Sequence, residues 1–225
     1  MKENEEKIFK SADRFISIKE YLFYKLFGKY WIDYSVASGT GLFDIITHTW
    51  YEESLKAAGI TKEQLPEPVP TTHIVKGLKK DYAARLRLDK NVAFIIGASD
   101  GCLANMGSNA INGGDMSITI GTSGAVRMIT DVPRYDARQR TFNYILTDKI
   151  FVAGGPTKKG LNLLKWYAEF FLQRPIRPAT DIGWFVQEAA KAPAGADRLL
   201  FLPYVHGERA PVWDASARGV FFGVN

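Results

Sequence analysis

The 225-residue chain has a single cysteine, only three histidines, and basic residues that are scattered rather than gathered into a block. Each scarcity closes off a class of function. A lone Cys102 cannot form an internal disulfide, so a disulfide-stapled secreted scaffold is excluded and a reducing, cytoplasmic setting is expected. His48, His73 and His206 are far apart, and none has a His or Cys at ligand spacing, which leaves no metal signature. Neither a GxSxG elbow nor a GxxxxGK[ST] loop occurs. No apolar run approaches the ~20 residues of a membrane-spanning helix. The longest, such as Val92 to Ile96, are of strand length. The opening MKENEEKIFK lacks the apolar middle of a secretory signal, so no leader is expected. With 29 Lys plus Arg against 24 Asp plus Glu, the net charge is +5. Spread thinly, that charge supports nucleic-acid binding only weakly. It fits either a solvated surface or a protein that handles small anions such as phosphates.

What is present reads as a globular chain, 46% hydrophobic and 24% charged, long enough for one large domain or two small ones. ISIKEYLFYKLF (16–27) predicts an amphipathic helix with Ile18, Leu22 and Leu26 on its apolar stripe and Gly28 as its stop. DYSVASGTGLFD, from Asp33, has the small residues of a closely packed turn. Tyr51 to Ala58 predicts a helix closed by Gly59, Leu65 to Pro70 an extended connector with three prolines, and Asp81 to Leu86 a helical turn. Val92 to Ile96 then predicts a fully buried strand, and Cys102 to Ile111 a closely packed helix. Asn112-Gly113-Gly114 marks the candidate boundary between a first part, 1–114, and a second, 115–225. Strands are predicted at Met116 to Ile120, Ala125 to Ile129, Phe142 to Leu146 and Ile150 to Ala153. Helices follow at Leu161 to Leu172 and Ile182 to Ala190, with a short strand at Leu199 to Leu202. The class is α/β.

Four places have the composition of a site. Asp100, between a strand and a helix, is either a helix cap or a general base at the carboxyl end of a strand, and one carboxylate can do both. Gly121-Thr122-Ser123-Gly124 is either a plain hairpin turn or an anion-binding concavity of amides and hydroxyls. Gly154 to Gly160, between a strand and a strong helix, is either a connector with two solvated lysines or a junction whose amides face a nucleotide's phosphates. FLPYVHGERAPVWDASAR (201–218) reads as an ordered loop in which Glu208 and Arg209 pair with each other or with Asp214 and Arg218.

Singly these signals are weak, but their order is specific. GASDGCLANMG, TIGTSGAVRM, FVAGGPTKKG with LLKW, and FLPYVHGERAPVWD, preceded by DYSVASGTGLFDI, together resemble the FGGY carbohydrate kinases, and within them the gluconate kinases, from about Phe15 to Asn225. The resemblance implies an actin-like, ribonuclease-H-like two-domain sugar kinase fold, with sugar mainly on the first domain and ATP on the second. It implies that Asp100 is the catalytic base, that Gly121, Thr122 and Ser123 cradle nucleotide phosphates, and that Gly154 and Gly155 form a glycine turn near the nucleotide. GERAP (207–211) is a family marker with a structural role. The implied reaction is ATP plus D-gluconate giving ADP plus 6-phosphogluconate, with Mg²⁺ between the phosphates; xylulokinase-like or glycerol-kinase-like chemistry is the alternative.

Two departures stand out. Lys158 and Lys159 replace the asparagines usual in this type, and Leu161 replaces a second glycine. The DxGT-type phosphate loop, the early sugar contacts and the late adenosine site have no counterpart here. Both domains are therefore expected to be incomplete, and the fragment alone inactive: a module that binds nucleotide weakly at best. Expected partners are ATP and a sugar or sugar acid, with neither nucleic acid nor membrane; self-association stays open.

Overall fold

Ser17 opens the first long helix, α2 (Ile18–Phe27), which follows the short α1 (Glu6–Ser11). The Ser17 hydroxyl accepts from Lys19 N, and the Glu20 carboxylate accepts from Ser17 N at 2.5 Å, a capping box that satisfies donors no helix can satisfy itself. Gly28 ends the helix in the left-handed conformation, φ +77°. The predicted helix is therefore present, but its predicted stripe is not. Ile18 is 84% exposed and Leu22 is exposed, whereas Glu20, Phe23 and Leu26 are buried. The core-facing stripe is one residue out of phase with Ile18 and Leu22 because Phe23 packs with Val69, Val75 and Ile96. Glu20 tolerates burial because its carboxylate oxygens are taken up by the cap.

The computed structural model describes residues 2–176 and 178–224. The chain divides into two units: Met1–Gly113 with Ile129–Arg134 and Asn143–Val152, and Gly114–Met128 with Tyr135–Phe142 and Ala153–Asn225.

In the first unit, β1 (Trp31–Asp33) runs straight into α3 (Tyr34–Ser38), whose N-cap is Asp33. The segment read as a turn is helical over Tyr34–Ser38, with Ser35 and Ala37 small enough to be buried, and turns only at 39–42. After the hairpin β2 (Phe43–Asp44) and β3 (Thr49–Trp50), α4 (Glu52–Ala58) closes at Gly59 as predicted. The proline connector is extended but is also a strand, β4 (Glu67–Val69), parallel to β1 with Ile32 opposite Pro68. A two-stranded pair tolerates a residue without an amide hydrogen because it is all edge. β5 (Ile74–Val75) pairs antiparallel with β6 (Phe94–Ile95), with α5 (Lys80–Leu86) between them in sequence.

The fully buried strand is the clearest correction. Ile95 is 65% exposed and its cross-strand partner Ile74 is 58% exposed. A two-stranded ribbon has two faces. Here Val75 and Phe94 pack on α2 residues Phe23 and Phe27, and the opposite face is open. Helix α6 (Asp100–Gly107) follows, with Cys102 and Asn105 inward.

The hairpin predicted after the boundary is present: β7 (Met116–Ile120) and β8 (Gly124–Thr130) are antiparallel with Ile120 opposite Gly124. With β9 (Phe142–Thr147) and β10 (Ile150–Thr157) they form a sheet in the order β7-β8-β10-β9. The second unit also holds α7 (Leu161–Phe170), α8 (Pro178–Ala189), and the antiparallel pair β11 (Leu200–Leu202) and β12 (Val220–Phe222), whose Phe201 and Phe221 rings stack at 4.1 Å. The pattern along the sequence gave no sign of β12.

Candidate active site

In the first unit, the chain leaves β6 through Gly97, whose φ of +71° suits glycine, and Gly97 N donates to Thr71 O at 3.0 Å. Ser99 then caps α6, its hydroxyl accepting from Cys102 N at 3.4 Å. Asp100 is therefore not the N-cap, the role that sequence alone left open for it. It is the first residue of the helix, it is exposed, and its Oδ1 accepts from Gly101 N at 2.7 Å. A carboxylate at this position is favoured by the exposed amides of the first turn while it faces water. That arrangement can accept a proton from a hydroxyl brought to it. Cys102 is completely buried among Ala98, Ile129, Leu146 and Val152, the environment of a small core residue.

The second unit assembles a different surface around the β7–β8 turn. Thr122 and Ser123 are exposed, and Gly121 N closes the turn on Ser123 O at 2.8 Å. Beside Gly121 there is open space: a Cβ there would meet only Ser123 O, at 3.8 Å. The start of α7 buttresses the turn from behind. Leu161 N donates to Gly121 O at 2.8 Å and Asn162 N to Thr122 O at 3.2 Å. The junction before α7 was read as one whose amides could face phosphates. In the structure these two amides face the carbonyls of the turn, because Gly160 lets the backbones meet. A Cβ on Gly160 would overlap Gly121 O.

Gly154 and Gly155 are not in a turn. Both lie in β10, which runs four residues past the predicted end to Thr157. A Cβ on Gly154 would overlap Val126 O on the neighbouring strand, and one on Gly155 would come within 2.9 Å of Ala210 Cβ. Glycine here serves close backbone approach. Gly154→Ala is expected to destabilise the protein by about 1–3 kcal/mol, the cost typical of forced overpacking. Thermal unfolding of the variant checks this; an unchanged midpoint would mean the strands can part without cost.

The loop after β11 supplies a group that sequence reasoning misassigned. Glu208 is buried and its carboxylate forms its ion pair with Lys159, while the expected link to Asp214 is made by the backbone, Glu208 N donating to Asp214 O at 2.8 Å. Its carboxylate also accepts from Thr157 Oγ1 at 3.0 Å, Lys158 N at 2.9 Å and Arg209 N at 2.7 Å. Burial alone would push the Glu208 carboxyl up. The Lys159 ammonium and the hydrogen bonds outweigh it and hold the group below the usual carboxylate range. Lys159 also sits 4.4 Å from the Tyr204 ring centroid, and Lys158 Nζ donates to His206 O at 2.8 Å. The two lysines, read as solvated or phosphate-seeking, instead fasten residues 157–160 to the 204–209 loop. This fastened segment leads directly into the start of α7, which buttresses the turn at Gly121 to Gly124. No local signal reveals the pair, since Thr157 and Glu208 are 51 residues apart.

Asp100 belongs to the first unit, and Gly121, Thr122, Ser123, Gly154 and Gly155 to the second. Among the described residues, no group of three or more His, Cys, Asp or Glu could hold a metal ion. None of the described helices is long and apolar enough to cross a membrane.

Residues 1–107 match the N-terminal domain of the FGGY family of carbohydrate kinases, and residues 116–225 match its C-terminal domain. The gluconokinase of Bacillus subtilis is 45% identical over 98% of this chain, which spans 44% of that protein. Two solved structures from Lactobacillus acidophilus are each 38% identical and covered over 45% of their length: a gluconate kinase, TM-score 0.89, and a ligand-bound xylulose kinase, TM-score 0.88, both matched by the whole of this chain. The chain thus spans less than half the length of the relatives it matches.

Proposed function

Because the chain belongs to the FGGY family of carbohydrate kinases and carries parts of both its domains, we propose that it forms part of a kinase that phosphorylates D-gluconate with ATP. The observation that carries the choice of gluconate is the 45% identity to a gluconokinase over nearly the whole chain. In this reading residues 1–114 are the later part of a sugar-side domain and 115–225 the earlier part of a nucleotide-side domain, in a cytoplasmic enzyme.

Asp100 takes the proton of the terminal gluconate hydroxyl as that oxygen attacks the γ-phosphorus of ATP. The bond from the γ-phosphorus to the bridging oxygen breaks, and ADP and 6-phosphogluconate leave. Phosphoryl transfer asks mainly for positioning and for stabilisation of charge, so one oriented carboxylate suffices as base. Gly121, Thr122 and Ser123 receive the nucleotide phosphates. Their fit is supported by the exposed hydroxyl residues and by the room beside Gly121 for close approach. Gly154 and Gly155 support that surface through the packing of β10. Mg²⁺, when bound, neutralises charge between the phosphates.

A xylulose-directed enzyme is the second reading, favoured by the equally similar structure of a xylulose kinase. ADP release with gluconate, xylulose and glycerol, measured on the protein its own gene encodes, separates the readings. Gluconate is expected to give the fastest turnover. A faster rate with xylulose or glycerol overturns the substrate assignment. No ADP with any of them identifies a catalytically inactive module.

A further inference from the structure

Asp100 is exposed, so its bearing is set by the backbone that leads into it. The peptide unit joining Ala98 to Ser99 is held at both of its polar ends. Ser99 N donates to Ser35 Oγ at 3.1 Å, and Lys19 Nζ donates to Ala98 O at 3.5 Å. These are the carbonyl and the amide of one rigid plane, one residue ahead of Asp100, which carries the carboxylate.

The two holding groups are themselves fixed by a third. Asp33 is fully buried; its Oδ2 accepts from Lys19 Nζ at 2.5 Å and its Oδ1 from Val36 N at 3.0 Å, capping α3. Two residues on, the buried Ser35 hydroxyl lies 2.9 Å from Ser99 Oγ and 3.2 Å from Cys102 Sγ, and its single proton serves one of them at a time. A buried carboxylate is costly unless paired and hydrogen-bonded, and here both conditions are met next to the same peptide. Core packing alone would be served by apolar residues at these positions. What the polar residues add is orientation.

We propose that Ser35, Lys19 and Asp33 are positioning residues: they lock the Ala98–Ser99 peptide and so aim the Asp100 carboxylate. The proposal rests on the reading of Asp100 as the proton acceptor. Small errors of aim at a reacting group are expensive in rate, and a misplacement of about 1 Å can cost about 10²-fold.

The test combines amide hydrogen exchange with kinetics on Ser35→Ala. Exchange at Ser99, Gly101 and Cys102 is expected to quicken about tenfold in Ser35→Ala, while amides of α4 and α5 keep their wild-type rates. The turnover number for phosphoryl transfer is expected to fall about tenfold, with KM for sugar and ATP within about twofold. Unchanged exchange at those three amides overturns the lock, and a uniform rise across the first unit reduces Ser35 to a stability residue. Faster local exchange with unchanged turnover overturns the positioning role. Exchange is read without any catalysis, so a wild-type protein that phosphorylates no sugar would refute the base assignment while the lock is still decided on its own.

Discussion

Asp100→Asn is expected to lower turnover with gluconate by about 10²-fold or more, with the fold and nucleotide binding kept. The separation follows from the position. Asp100 is exposed, it is not the helix cap, and its hydrogen bond to Gly101 N can be accepted equally by an asparagine oxygen. What the variant loses structurally is one negative charge in a first helical turn, worth about 0.3–1 kcal/mol at a surface. What it loses chemically, in the proposed reading, is the carboxylate that takes the proton as the new oxygen–phosphorus bond forms. Turnover, thermal midpoint and ATP affinity measured on one preparation check this. Near-normal turnover would mean that Asp100 serves the helix alone.

Glu208→Gln is the second large effect, and it falls on stability. Glutamine keeps the shape but removes the charge that balances Lys159 and the second strong acceptor for Thr157, Lys158 and Arg209. Breaking a buried pair by removing one partner costs about 3–5 kcal/mol in full burial; with Lys159 partly exposed, about 2–3 kcal/mol is expected here. The pH dependence gives the signature. The native carboxyl titrates below its ordinary value because of Lys159 and the hydrogen bonds. Its contribution is therefore fully present above about pH 4.3, the unfolded value, and is lost as pH falls through the lower native value. Urea unfolding of wild type and variant should give a gap that is constant near neutrality and closes in acid. A gap independent of pH would show that the charge is not what matters.

Local elements were largely legible in the sequence because their signals are local. Gly28 closes α2, Gly59 closes α4, and the short Gly121 to Gly124 turn between two strand-like runs announces the hairpin. Errors arose where a neighbour decides. The outward face of β6 depends on there being only one partner strand, and β10 runs on through Gly154 and Gly155 because Val126 O approaches closely, a demand that in sequence looks like a turn. The site divides the same way. Asp100 and the turn residues could be singled out from short motifs. The groups that hold them could not, since Ser35 lies 64 residues from Ser99 and Thr157 lies 51 from Glu208. Only the fold joins those pairs.

The central claim is transfer of phosphate to a sugar acid, and it is tested most directly by following the γ-phosphoryl group itself. Labelled ATP and gluconate are incubated with the protein its gene encodes, and the products are separated. The account predicts label in 6-phosphogluconate, dependent on gluconate and reduced about 10²-fold or more by Asp100→Asn. Label appearing only in inorganic phosphate, or remaining in ATP, would contradict it.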